Sequence, residues 1–161
     1  MRLIGIDPGL RCTGYGIIEF TGKHPTLIQY GTITTDSGHS FSRRLQTVYD
    51  DVSDVLREYH PDEFAIEEAF YSKNARTALQ LGHVRGVAML AARHARVPVS
   101  EYSAKKIKLA LTGRGSATKE QVQYMVKTLL HLKDPPHPVD ASDALACALC
   151  HHQQIQLQVS S

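Results

Sequence analysis

Four acidic positions, each set on an otherwise apolar stretch, carry the chemistry that this sequence offers. Asp7 follows Leu3-Ile4-Gly5-Ile6 and precedes Pro8-Gly9, so a carboxylate is delivered by a short apolar run into a tight turn. A second run, Glu63-Phe64-Ala65-Ile66, ends on the pair Glu67 and Glu68. Asp140 and Asp143 lie three apart at the head of an alanine-rich stretch. In a first helical turn that spacing projects both carboxylates from one face, with Cβ atoms about 5–6 Å apart. Plain alternatives exist: Asp beside Pro and Gly starts turns, and acids at a helix start satisfy free N–H groups and favour the dipole. As a set, converging carboxylates would repel and raise one another's pKa unless divalent cations neutralised them. Oxygen-only donors point to Mg²⁺ or Mn²⁺.

The elements that must position these acids follow from pattern. Leu3, Ile4 and Ile6 predict a buried strand that Pro8 ends, with Gly9 able to take the positive φ of a sharp turn. Thr13 to Phe20 and Leu27 to Thr35 predict two more strands, and the short links imply an antiparallel meander. Ser40 or Ser42 caps a helix in which Leu45, Val48, Tyr49, Val52, Val55, Leu56 and Tyr59 recur at helical spacing; Asp50, Asp51, Asp54 and Glu58 form its solvated face. That helix makes a crossover, so the Glu63–Glu67 strand lies parallel beside the first. Its end brings one of Glu67 and Glu68 to Asp7, and alternation alone does not say which. The sequence further predicts a helix from Ala75 to Ala95 that is apolar and so buried on most sides, part of that surface under a second subunit, and a fifth strand at Pro98–Tyr102. Beyond these come a Ser103-capped helix, a Thr118/Gln121 capping box, a last helix from Asp140 and a frayed polar tail from about Gln153.

At 161 residues the chain is expected to be one domain with a real core. With neither a leader nor eighteen consecutive apolar residues, a cytoplasmic protein is the default, and three cysteines without framework spacing suit reduced thiols. The net charge of +2 hides an asymmetry: Lys73 to Lys133 carries +10 and the remainder −8. One part can meet a polyanion while the other concentrates carboxylates, which fits nucleic acid plus metal. Lys105, Lys106, Lys108, Arg114 and Lys119 lie at two helix entrances joined by a glycine loop, a setting suited to phosphate contact. Phe70-Tyr71, beside Lys73 and Arg76, could stack on an exposed base or pack in the core. Cys147-Ala148-Leu149-Cys150-His151 matches a haem-attachment pattern, but it sits in an apolar helical stripe and reads as buried packing. His131, His137, His151 and His152 show no ligand spacing tied to another element.

These residues, with Thr13-Gly14-Tyr15-Gly16, Lys73-Asn74, Leu81-Gly82, Arg85-Gly86-Val87, Gly113, Gly115-Ser116-Ala117 and Asp140 to Ala144, closely resemble the RuvC family of Holliday-junction resolvases. The match runs in order over nearly the whole chain. The resemblance implies an α/β, ribonuclease H-like fold, here a five-stranded mixed sheet flanked by helices. It also implies a homodimer that makes symmetric paired nicks in four-way junctions during recombination and repair, with two Mg²⁺ or Mn²⁺ ions per site and RuvA and RuvB as partners. Matched position by position, the family's acids fall on Asp7, Glu67, Asp140 and Asp143, its basic residues near the scissile phosphate on Lys108 and Lys119, and its junction-centre aromatic on Phe70. Some relatives carry His where Asp140 stands; this chain keeps four carboxylates. Three alternatives compete: a nuclease for RNA–DNA hybrids using the same acids, a junction-binding module without catalysis, and a sugar-kinase or actin-like ATPase. The last needs two such domains, for which 161 residues are too few.

Overall fold

The computed structural model describes residues 1–68 and 74–159. Its elements are β1 (Arg2–Asp7), β2 (Cys12–Thr21), β3 (His24–Thr34), α1 (Phe41–Tyr59), β4 (Glu63–Glu67), α2 (Ala75–His94), β5 (Val99–Tyr102), α3 (Ala104–Thr112), α4 (Lys119–Leu129) and α5 (Val139–Val159). One five-stranded sheet runs β3-β2-β1-β4-β5. The meander β1-β2-β3 is antiparallel, and β4 and β5 join it in parallel. The mixed sheet and all five strands agree with expectation.

Strand alternation divides the core. Ile4, Ile6, Ile17, Phe64 and Ile66 face α1 and α2, where Val48, Val52, Val84 and Ala88 are fully buried. Leu3, Ile18 and Ala65 face α3, α4 and α5, against Leu145, Ala148 and Val126. Burying each large aliphatic side chain contributes about 1.5–3 kcal/mol, so the strands that end in Asp7 and Glu67 are anchored on both faces.

Local signals set the element ends. Ser40 caps α1 through Arg43 N, Asn74 caps α2, and Thr118 and Gln121 form the reciprocal box at α4. Three expectations need correction. Gly9 lacks positive φ, which among the glycines belongs to Gly22 and Gly113; a Cβ on Gly9 would lie 2.2 Å from the Cys12 carbonyl oxygen, so close approach is what requires glycine there. Helix α2 is not buried on most sides: Val84, Ala88, Ala91 and Ala92 are, while Leu79 and Leu90 are 66% and 48% exposed. The segment from Gln153 does not fray but stays helical to Val159, since His152 stacks on Phe20 at 3.6 Å and ties these turns to the hairpin. No helix among the described residues is long and apolar enough to cross a membrane.

Candidate active site

Two adjacent parallel strands deliver the first two carboxylates. Ile6 pairs with Ile66, so Asp7 and Glu67 stand side by side at the carboxyl ends of β1 and β4, where α/β sheets place ligands. Parity puts both on the face that carries Leu3, Gly5 and Ala65, under α5; Glu68 falls on the other side and is exposed.

Helix α5 brings the other two acids because two strand glycines let it lie on bare backbone. A Cβ on Gly5 would come within 2.0 Å of the Ala144 carbonyl oxygen, and one on Gly14 within 1.9 Å of that of Asp140. Gly14 is the register partner of Asp7, so the first turn of α5 rests directly beside it. Asp140 lies inside that turn, one residue after its start at Val139, rather than at a cap. Asp7, Glu67 and Asp143 line a cleft of about 190 Å³ together with Lys108 and Lys119, over a floor that includes Ile107, Val122 and Ala146.

The electrostatics are those of crowded acids in a poorly hydrated place. Burial first, then Glu67, Asp143 and Asp140, push the Asp7 carboxyl up to about 8, against the pull of Lys119. Burial and Asp143 raise Glu67, opposed by Lys119 and Lys108. Burial likewise raises Asp143, whose strongest opposing influence is Lys119, with Nζ 3.7 Å from Oδ2. The acids feel one another's charge without closing into a cage: among the described residues no three acidic, histidine or cysteine side chains meet at ligand-cluster spacing.

The remaining sequence-selected residues distribute as follows. Lys108 is half-buried at the cleft and Lys119, 71% exposed at its side chain, stands at its mouth. Arg114 is exposed in the loop between α3 and α4, and Lys105 is exposed with its aliphatic stem against Gly115. Arg76 is exposed in the first turn of α2. Phe70 and Lys73 lie outside the described residues. Cys147 and Cys150 are fully buried, as packing requires. Two neighbours escaped sequence reasoning. The Cys12 thiol opens β2 beside Asp140, and burial with that carboxylate raises its pKa. The buried His151 takes part in a 2.7 Å hydrogen bond between its Nδ1 and the Tyr102 hydroxyl, with Glu63 3.5 Å from its Nε2. Cys12 belongs to no motif and His151 stands above in the haem-like run, so these contacts show only once the strands are paired.

A mixed sheet of order β3-β2-β1-β4-β5 with carboxylates at the ends of its two central strands and at the head of the helix lying across them defines the ribonuclease H-like class. Comparison with known proteins narrows it. The family model described as "Crossover junction endodeoxyribonuclease RuvC" matches residues 3–151, and the chain belongs to that family. It is 48% identical over 153 residues to the RuvC of Desulforamulus reducens, covering 95% of this chain and 94% of that one. With the RuvC of Pelobacter propionicus it shares 51% over 151 residues, 94% and 85% of the respective chains. Among solved structures, Thermus thermophilus RuvC superposes with a TM-score of 0.91 at 34% identity, covering 98% of this chain and 97% of that one. T. thermophilus RuvC in complex with Holliday junction substrate gives 0.93 at 33% identity, over 98% and 96%.

Proposed function

We propose that this chain is a structure-selective endonuclease that resolves four-way DNA junctions by paired, symmetric phosphodiester hydrolysis in recombination and repair. The observation that carries the reading is the convergence of Asp7, Glu67 and Asp143 on one cleft flanked by Lys108 and Lys119, in a chain of the RuvC family. The donor set fits hard divalent cations: it is all oxygen, and its mutual repulsion is the penalty that positive charge in the cleft relieves. Asp7, Glu67, Asp140 and Asp143 would hold two Mg²⁺ or Mn²⁺ ions, which when bound supply activation of water and stabilisation of the leaving oxygen.

The chain's own groups do the rest. Asp7 and Glu67, fixed on buried strands, orient the attack along one line, and the apolar floor at Ile107 and Val122 limits bulk water. Water adds to phosphorus and loses a proton to solvent, the bond to the 3′ oxygen breaks, and that oxygen takes up a proton. The products are a 5′ phosphate and a 3′ hydroxyl. Lys119, exposed at the mouth, offsets charge building on the phosphate, and Lys108 holds the strand. Lys105, Arg114, Arg76 and Lys73 extend the phosphate track, and Phe70 stacks at the junction centre.

Paired nicking requires two sites, which a twofold homodimer supplies. The exposed Leu79 and Leu90, with open space over Gly82 and Gly86 on α2, support a second subunit on that helix. RuvA and RuvB are the expected delivery partners, and the cytoplasm the expected compartment.

The test is cleavage of an end-labelled mobile four-way junction with Mg²⁺ or Mn²⁺, against linear duplex and an RNA–DNA hybrid, with Asp7→Asn as control. Symmetric nicks confined to the junction and lost in the variant support the proposal. Cleavage of the hybrid alone replaces the substrate, and binding without cutting in either metal refutes the catalytic reading.

A further inference from the structure

Beyond the acidic cleft, the described residues enclose a larger cavity, of about 700 Å³, at the far end of α5. The hairpin between β2 and β3 walls it on one side, the end of α4 on another and the last turns of α5 on the third. From Asp143 to Gln153 the helix advances ten residues, about 15 Å at 1.5 Å each, so this pocket sits at the pole opposite the acids.

Its lining has two characters. Phe20, Pro25, Leu129, Leu149 and Leu157 make an apolar body, a volume and composition typical of a site for a bulky side chain. Around them stand Lys23, His24, His131 and His152, and no acid. In a chain that elsewhere concentrates carboxylates, an acid-free rim of the Lys23 ammonium and the His24 and His131 imidazoles selects for an anion. His152 belongs to the floor. It is 6% exposed, its ring is stacked on Phe20, and its Nε2 has no hydrogen-bond partner among the described residues. Burial holds its pKa below the ordinary imidazole range, against the Gly22 carbonyl that accepts from the ring.

One more feature separates a peptide from a small molecule. Lys23 to Pro25 lead into β3, the outermost strand of the sheet, whose outer side pairs with no other strand among the described residues. An extended segment can lie along that edge while one side chain enters the cavity, the way strand addition joins backbone affinity to pocket specificity. We propose that this pocket docks an extended acidic segment of a partner protein, with a bulky apolar side chain seated among Phe20, Leu149 and Leu157 and a neighbouring carboxylate on the Lys23, His24 and His131 rim. Docking there leaves the acidic cleft open to DNA, so the inference does not depend on the substrate assigned above.

The probe is a fluorescein-labelled peptide, Gly-Asp-Asp-Leu-Phe-Asp-Gly, titrated by fluorescence anisotropy into the full chain. Its amide counterpart, with Asn for each Asp, and 4-phenylbutyrate as a free carboxylate complete the set. Binding in the micromolar range is expected, weakened at least about tenfold by the Asn peptide and by Lys23→Glu with His131→Glu, where a like charge replaces an attractive one. Leu157→Asp, at a position 61% exposed and therefore tolerant in the fold, should weaken it comparably. Junction cleavage by these variants should match the parent and shows that they are folded. No binding at about 1 mM peptide, a range in which a specific pocket would register, overturns the inference. So does an Asn peptide that binds equally, or a variant set that leaves affinity unchanged. Phenylbutyrate binding as tightly as the peptide would reassign the pocket to a small acid.

Discussion

Replacing Asp7 by Asn should abolish metal-dependent cleavage and also stabilise the metal-free fold, by an amount that grows as pH rises from about 4 to 8. Asp7 is raised from 3.8 to about 8 by burial and by Glu67, Asp143 and Asp140. Below about pH 4 its carboxyl is protonated in both folded and unfolded chains and no penalty exists. Between about 4 and 8 the folded protein keeps a proton that the unfolded chain releases, so stability falls as pH rises; above 8 the loss is complete. A shift of this size at about 1.36 kcal/mol per unit sets a ceiling of roughly 5–6 kcal/mol. Solvent at the cleft mouth reduces it, and Asn keeps the shape without the charge, so a gain of roughly 1–3 kcal/mol is expected, about 3–10 °C in Tm for a chain this long. The assay is thermal unfolding by circular dichroism in EDTA at pH 5 and pH 8.5, then at pH 8.5 with 10 mM-range Mg²⁺, roughly a saturating amount for a carboxylate site. The variant should melt above the parent at pH 8.5 in EDTA and by about a third of that margin at pH 5, and Mg²⁺ should raise the parent alone. Equal melting at pH 8.5 in EDTA would mean that the acids do not crowd one another, and the argument for a cation in the cleft would fail with it.

Glu67→Gln should reduce junction nicking by about 10²-fold or more, the scale of losing a group that acts on the transition state, whereas Glu68→Gln, on the exposed opposite side of β4, should leave single-turnover rates within about twofold. Gly14→Ala places a methyl 1.9 Å from the Asp140 carbonyl oxygen; the first turn of α5 must lift, and nicking should fall by more than the change in Tm accounts for. Tyr102→Phe removes the partner of His151 Nδ1 in a buried 2.7 Å hydrogen bond and should cost about 1–3 kcal/mol in urea unfolding with little effect on cleavage, since an unpaired buried nitrogen is penalised.

The strands, the caps and the parallel crossover were legible because each rests on a local signal: alternation in Leu27–Thr35, Ser40 before an amphipathic run, Thr118 three residues before Gln121. The choice between Glu67 and Glu68 was legible only through resemblance, although a residue-level clue exists. Gly5 and Ala65 are small on the face that also carries Asp7 and Glu67, while Ile4, Ile6, Phe64 and Ile66 are large on the other. Small residues at matched positions of neighbouring strands mark where a helix lies close, hence where its acids arrive. Gly9 misled because glycine suggests a turn, and the demand came from the Cys12 carbonyl instead. The helicity beyond Gln153 was invisible because its support is tertiary: Phe20 stacks on His152 from 132 positions away in sequence. The solvent-facing side of α2 could not be read from composition, since an alanine-rich helix looks equally buried whether its cover is this chain or another.

Where α5 crosses Gly5 and Gly14, main chain touches main chain with no side chain as cushion. A spacing set by rotamers drifts as they hop, but one set by stacked peptide groups has a hard stop. The alignment of Asp7 with the head of α5 therefore has a one-sided tolerance: variation at these two glycines can widen the gap and never narrow it. Heat, which loosens side chains first, should leave the alignment unchanged until the sheet itself gives way. Activity would then be lost as cooperative unfolding sets in, with no range of temperature in which a folded molecule holds a slack site.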